Sequence, residues 1–332
     1  MKPWLIDFLS CSTKKIHISR KIDNEILSGI IFCDKKDYPI YRGLPIFIPR
    51  GLRPLFAKIR NIYESLDPAP WRVKKNDWIK HMRFLHIRAL KTALANLSIK
   101  REIKVLAIGC GWGWEVWNLM RLGNTSHRSF GYIIGTDLAG KPLRLAKKIQ
   151  NTFSYKNIDF AVAPAEFLPF KDSSFDLVTA IFGSLDHSRY YLNQFIEISR
   201  VLKPQGIAVF TLINKFSLDW LVKLPFKPKL YRKTLKKMSD PFAKVTLKLP
   251  NGRSVRVITH YYNSLEIKNI LKKTGMKLVK VFGIFCLLSP RFGINKFKPY
   301  HEFLSKVDYL IADAPLFRWL GRYICVVARK TY

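Results

Sequence analysis

Residues Val105 to Glu115 read Val-Leu-Ala-Ile-Gly-Cys-Gly-Trp-Gly-Trp-Glu, an apolar run followed by glycine at 109, 111 and 113. Alternate glycines after such a run let the backbone turn tightly and leave room for a ligand against the main chain. A helix opening just afterwards would aim its free N–H groups at that ligand. The dinucleotide fingerprint G-x-G-x-x-G needs a third glycine at 114, where this chain has Trp114. A second apolar run, Ile133-Ile134-Gly135-Thr136, ends in Asp137, 28 residues after Gly109. A carboxylate at a strand tip can accept hydrogen bonds from both hydroxyls of a ribose. Taken alone, Asp137 could equally be an ordinary loop acid. Its place in the unit opened by the glycine loop favours the ribose role.

Such residues need a sheet to hold them. Ile103–Ile108, Tyr132–Thr136, Ile158–Val162, Phe175–Ile181 and Gly206–Ile213 have the apolar character of buried strands. Helical patterns at Trp114–Leu122, about 139–151 and Tyr190–Leu202 alternate with them. A helix at Ser264–Thr274 and strands at 277–284 and 323–329 complete the series. Repeated β-α units with short links predict an α/β fold: a doubly wound, mostly parallel, seven-stranded Rossmann-like sheet covered on both faces. A helical stripe over Trp78–Leu97 precedes it. Residues 1–50 read as a small β-rich module. Residues 51–77, with prolines at 54, 68 and 70, read as a connecting segment, which leaves 78–332 as the main domain.

Three further stretches resemble the class I S-adenosylmethionine (SAM)-dependent methyltransferases of the small-molecule type. Ala163-Pro164-Ala165-Glu166-Phe167-Leu168-Pro169-Phe170, with Asp172 and Ser174-Phe175-Asp176, resembles the family's hallmark stretch. Leu202-Lys203-Pro204-Gln205-Gly206 resembles its turn into the fifth strand, and Tyr261-Tyr262-Asn263-Ser264-Leu265 its next unit. The resemblance implies SAM as cofactor. Gly109, Cys110, Gly111 and Gly113 would surround its amino-acid portion, and Asp137 would hold the ribose. Leu138 would pack on the adenine, with Ala165 and Glu166 at its edge. Phe182 and His187, after the fourth strand, would lie at the methyl-transfer point. A histidine near neutral pKa can take a proton from an acceptor hydroxyl or amine; the alternative is a histidine that caps the next helix or completes the pocket. Two positions depart from the family. Ala107 stands where an acid often anchors the SAM amino group, and Pro164 where another contacts adenine.

Leu5-Ile6-Asp7-Phe8-Leu9-Ser10-Cys11, Phe32-Cys33, Tyr38-Pro39-Ile40 and Gly43-Leu44-Pro45 resemble a small zinc-ribbon domain. Relatives of that domain are fused to methyltransferases or activate them. Ribbons bind zinc through paired C-x-x-C knuckles, but the partner positions here are Lys14 and Lys36. With His17 as the one conceivable third ligand, a degenerate module holding no metal is expected. The five cysteines (11, 33, 110, 286 and 325) are scattered, which argues against a disulfide framework and for a reducing cytoplasm.

The net charge of +35 is uneven. Residues 1–100 carry 20 basic against 8 acidic side chains, 101–213 carry 13 against 9, and 214–257 carry 12 against 2. Such a field attracts anionic partners, although a soluble lysine-rich surface is the plain alternative. The basic insertion 214–257 would be a lid on a small substrate, a face resting on an anionic membrane, an RNA-contacting surface or a solvated hairpin. Charges at positions 2 and 7 exclude a signal-peptide core there, and no apolar run is long enough to span a bilayer. A cytoplasmic protein, free of membrane spans yet able to rest on a membrane surface, is expected. The expected activity is methyl transfer to an oxygen or nitrogen of a small, lipid-linked or glycan-linked anionic acceptor. An RNA methyltransferase and a non-catalytic SAM-binding partner protein are the alternatives. No Asn/Asp-Pro-Pro-Tyr/Phe tetrapeptide follows the fourth strand, and neither Cys110 nor Cys286 has a nucleophile's context. Base-amino and C5-pyrimidine methylation are therefore disfavoured.

Overall fold

The structure is a computed structural model that describes residues 1–34, 36–65, 77–99, 101–222, 225, 228–240, 243–248, 254–287 and 298–332. Residues 66–76 of the expected connection, and 223–224, 226–227, 241–242 and 249–253 of the basic insertion, lie outside the described residues. A short 3-10 helix (Pro3–Phe8) leads into an antiparallel sheet of β1 (Lys14–Ile22), β2 (Glu25–Cys33), β3 (Lys36–Tyr41) and β4 (Leu44–Pro45). Helices α1 (Arg53–Ser65) and α2 (Asp77–Asn96) follow. The alternation then runs β5 (Ile103–Ile108), α3 (Trp114–Thr125), β6 (Phe130–Asp137), α4 (Gly140–Thr152), β7 (Ile158–Val162), β8 (Phe175–Ala180), α5 (Tyr191–Val201) and β9 (Leu202–Ile213). The insertion comprises α6 (Leu218–Leu221), α7 (Pro228–Ser239) and the hairpin of β10 (Lys244–Lys248) and β11 (Ser254–Ile258). Finally come α8 (Ser264–Lys273), β12 (Met276–Ile284), α9 (Lys298–Ile311) and β13 (Tyr323–Lys330).

The main sheet has the order β12-β13-β9-β8-β5-β6-β7, with β13 antiparallel to both its neighbours. Successive side chains of a strand point to opposite faces, and here each face has its own core. Val105, Ala107, Ile133, Val209 and Val327 join α2, α3 and α4 on one side. Leu106, Ile108, Ile134, Phe210 and Val326 join α5 and α8 on the other. The N-terminal residues Leu5, Phe8, Ile31, Ile40 and Phe47 belong to that second core, and Phe47 N donates to Val162 O at 2.7 Å.

Three expectations are corrected. The stretch read as a connection is helical over Arg53–Ser65 and buries Phe56 and Ile62. The fifth strand begins at Leu202 rather than Gly206, taking in the supposed turn as an irregularity where Gln205 has φ +64°. The argument against disulfides fails at one pair: Cys11 and Cys33 are bonded, with Cα atoms 5.3 Å apart. Antiparallel pairing of β1 with β2 sets Lys14 opposite Cys33, which brings the two lone knuckle cysteines together. Among the described residues no cluster of three or more potential metal ligands occurs.

One buried ion pair ties the two sheets. Lys147 Nζ of α4 lies 2.8 Å from Asp159 of β7 and also contacts Glu25 of β2. Asp159 is wholly buried, so removing the ammonium strands a charge in the interior. Lys147→Met is expected to lower the unfolding free energy by about 3–5 kcal/mol, measured by urea denaturation at an unchanged m value. A loss below about 1 kcal/mol would show that water reaches this pair.

Candidate cofactor and acceptor site

Strand β5 pairs with β6 on one side and β8 on the other. The chain thus leaves the strand tips in opposite directions and opens a crevice there, the usual ligand position in such sheets. The glycine loop turns through φ +64° at Gly109, +54° at Gly111 and +84° at Gly113. Gly111 N donates to Asp137 Oδ2 at 2.9 Å, and Ala139 N to Asp137 Oδ1 at 2.8 Å. Each carboxylate oxygen keeps a further lone pair for a ligand. Burial raises the Asp137 carboxyl to about 6, against the pull of those two amides.

The three glycines serve different ends. A Cβ at Gly109 would lie 2.3 Å from Ser184 Cβ, and one at Gly113 would press on the Trp117 ring at 3.0 Å. At Gly111 an added Cβ meets nothing within 4 Å. It would project into an open cavity of about 260 Å³. Gly109, Cys110, Gly111, Asp137, Leu138, Ala165, Glu166, Phe182 and His187 all line this cavity. Gly113 does not; it precedes α3 and lets that helix start behind the loop.

Sequence reasoning missed Ile59, Tyr63, Arg83, Trp112, Glu115 and Ser184, which also line the cavity. Ile59 and Tyr63 come from α1, which covers the crevice. Glu64 fastens that helix by accepting from Gly140 N at 2.6 Å and Lys141 N at 3.1 Å. It thereby caps α4, whose own N-cap residue Ala139 has no side-chain bond to offer. The signal was present in Phe56, Ile59, Ile62 and Tyr63, at helical spacing.

Glu115 stands in the first turn of α3, only 2% exposed. Burial pushes its carboxyl up to about 8, and its Oε1 has no hydrogen-bond partner. Ser184 Oγ is likewise buried without one. Two buried polar atoms without partners, on residues that line the cavity, fit a polar ligand there. Glu166 is also buried, accepting from the Ser188 hydroxyl, and burial raises its carboxyl. Its loop is clamped by Arg200, which donates to Phe170 O at 2.7 Å and Leu168 O at 3.0 Å.

His187 Nδ1 lies 3.2 Å from Ile258 O and 3.1 Å from Thr259 Oγ1. A carbonyl oxygen only accepts, so Nδ1 carries the hydrogen and Nε2 keeps its lone pair. Burial lowers the pKa of this imidazole, which favours the neutral ring. His187 also lines a second cavity of about 360 Å³, which shares Ile59, Leu138 and Glu166 with the first. From the basic insertion, Lys244 and Arg256 reach that second cavity. Lys233 and Lys236 of α7 are exposed and line neither.

Fold and site together define a methyltransferase-type α/β protein, with a nucleoside-cofactor pocket at the tips of its first, second and fourth sheet strands. A family described as "Methyltransferase domain" matches residues 106–210. The uncharacterized protein MJ1252 of Methanocaldococcus jannaschii is 32% identical over 253 residues, covering 74% of this chain and 86% of that protein. Demethylmenaquinone methyltransferase of Chlorobaculum parvum is 26% identical over 240 residues, covering 68% and 87%. Among solved structures, a chain of the complex between the Haloferax volcanii Trm112 methyltransferase activator and a methyltransferase aligns with TM-score 0.47 at 17% identity, over 76% of this chain and 92% of that one. The chain belongs to the class I SAM-dependent methyltransferases, and SAM is its cofactor. The pocket fits it: an open cradle at Gly111, an anchored carboxylate with spare lone pairs at Asp137, and orphaned polar atoms at Glu115 and Ser184. No helix among the described residues is long and apolar enough to cross a membrane.

Proposed function

We propose that this protein methylates an oxygen or nitrogen of a small or lipid- or glycan-linked acceptor, which enters through the second cavity and meets the cofactor beside His187. The observation that carries this reading is that His187 lines both cavities, with its Nε2 lone pair uncommitted. Bound SAM supplies an electrophilic methyl group on a sulfonium. Asp137 holds the ribose, Leu138 packs on the adenine, and Ala165 and Glu166 meet its edge. The Gly109–Gly113 loop, with Cys110 and Phe182, shapes the remaining wall. Glu115 holds the cationic amino group in place of the acid absent at Ala107. His187 Nε2 takes the proton of the acceptor, while its Nδ1–H, tied to Ile258 O, fixes the ring. Positioning supplies most of the acceleration, because two reactants are brought together in one crevice. A relative named for demethylmenaquinone supports a small acceptor.

The test is transfer of a labelled methyl group from SAM to fractionated small-molecule, lipid and RNA extracts. Label is expected in the small-molecule or lipid fraction. His187→Gln should lower turnover at least about tenfold while S-adenosylhomocysteine affinity stays unchanged. Label confined to RNA, or none in any fraction despite tight SAM binding, would refute this reading.

A further inference from the structure

The second cavity carries an unusual set of charges. Lys58 from α1, Arg189 from the segment after β8, Lys244 from β10 and Arg256 from β11 all line it. Some cations elsewhere are matched with carboxylates: Arg200 with Asp172 and Glu197, Lys203 with Asp176, Arg88 with Asp313. Among the described residues, none of the four cavity cations makes an ion pair or a side-chain hydrogen bond. The one carboxylate on this wall, Glu166, is buried and held by Ser188.

The hairpin shows why this is more than a basic surface. Lys244 pairs with Ile258 and Thr246 with Arg256. Side chains two residues apart on a strand share a face, so Lys244 and Arg256 are diagonal neighbours on one face of the ribbon. Like charges so placed repel, and an anion between them removes that cost. The same ribbon continues into Thr259, which contacts His187. The cations and the imidazole are therefore set by one structural element.

We propose that this cavity seats a phosphate group of the methyl acceptor, leaving the acceptor's nucleophile at His187. Four exposed cations on the wall of one cavity, drawn from four parts of the chain, suit a compact, multiply charged head group. A nucleic-acid strand would instead need cations spaced along a track, and Lys233 and Lys236 on α7 do not extend the cavity into one. The inference rests on the acceptor route given above and names the chemical class that route admits.

The experiment titrates inorganic pyrophosphate into the full-length protein loaded with S-adenosylhomocysteine, by calorimetry at fixed ionic strength. Saturable one-to-one binding is expected. Lys244→Gln with Arg256→Gln should weaken it about tenfold. Lys233→Gln with Lys236→Gln, which removes the same charge outside the cavity, should leave it unchanged. Vesicles of phosphatidylcholine containing phosphatidic acid distinguish the sources. Binding competed by pyrophosphate marks a lipid phosphate, and no vesicle binding marks a soluble phosphate ester; either agrees with the proposal. Non-saturable heats, or equal weakening by both double variants, would overturn it by showing only the field of a basic protein. Affinity for S-adenosylhomocysteine is read in the same samples. If that is normal while pyrophosphate fails to discriminate, the phosphate seat falls and the methyltransferase reading stands.

Discussion

Gly111→Arg is expected to abolish S-adenosylhomocysteine binding while the protein stays folded. A side chain at this position meets no protein atom within 4 Å of its Cβ, so the arginine grows into the cofactor cavity rather than into the core. The fold loses only the strain of a side chain at φ +54°, roughly 1–2 kcal/mol. Asp137→Ala reaches the same end by another route. It removes the carboxylate proposed to hold the ribose and releases the amides of Gly111 and Ala139. Charge-assisted hydrogen bonds contribute about 1.5–3 kcal/mol each, so losing two toward the ligand should cost about 100-fold or more in affinity. Calorimetry gives the affinities, and thermal unfolding checks that both variants remain folded. Near-native affinity in both would remove the cofactor from this crevice.

What could be read beforehand was what local pattern controls. The parallel strands announce themselves because both faces are covered, so runs such as Val105–Ile108 are apolar throughout. The glycine loop and Asp137 are legible because one β-α unit brings them together within a short stretch of chain. Helix α1 was obscured by nearby prolines at 54, 68 and 70, although Pro54 sits in its first turn, where a missing N–H does no harm. The Cys11–Cys33 bond depends on the register of two strands, which spacing along the chain does not reveal. Glu115 resembled an ordinary first-turn acid. Only the packed structure shows that it is buried at the cavity wall, with one carboxyl oxygen unpartnered. The phosphate seat was the least legible, since its cations come from residues as distant as 58 and 256.

The affinity for S-adenosylhomocysteine is expected to rise about 50-fold between pH 6 and pH 8, and Glu115 is the cause. Ala107 occupies the place of the family's acid, and it is wholly buried with no charge to offer. Glu115 lies two residues beyond Gly113, in the first turn of α3, on the wall of the same cavity and with an unpartnered oxygen. In the ligand-free protein, burial raises its carboxyl to about 8, so it is neutral over most of the physiological range. A bound ammonium favours the carboxylate and lowers that pKa. The free form then holds a proton that the bound form releases. Affinity therefore increases with pH by up to about tenfold per unit, and levels off above about 8. Asp137, raised to about 6, adds a further decline only below that pH, so the two groups separate by midpoint. Glu115→Gln should flatten the profile between pH 6 and 8 and bind about as weakly at pH 8 as the native protein does at pH 6. At pH 7, titrations in buffers of different ionisation enthalpy should show close to one proton released per ligand in the native protein and none in the variant. Methylthioadenosine, which keeps the nucleoside but lacks the amino group, should bind independently of pH in this window and be indifferent to the substitution. A flat profile for S-adenosylhomocysteine in the native protein would mean that the amino group is held elsewhere, and Glu115 would be left as a buried neutral acid of the α3 first turn.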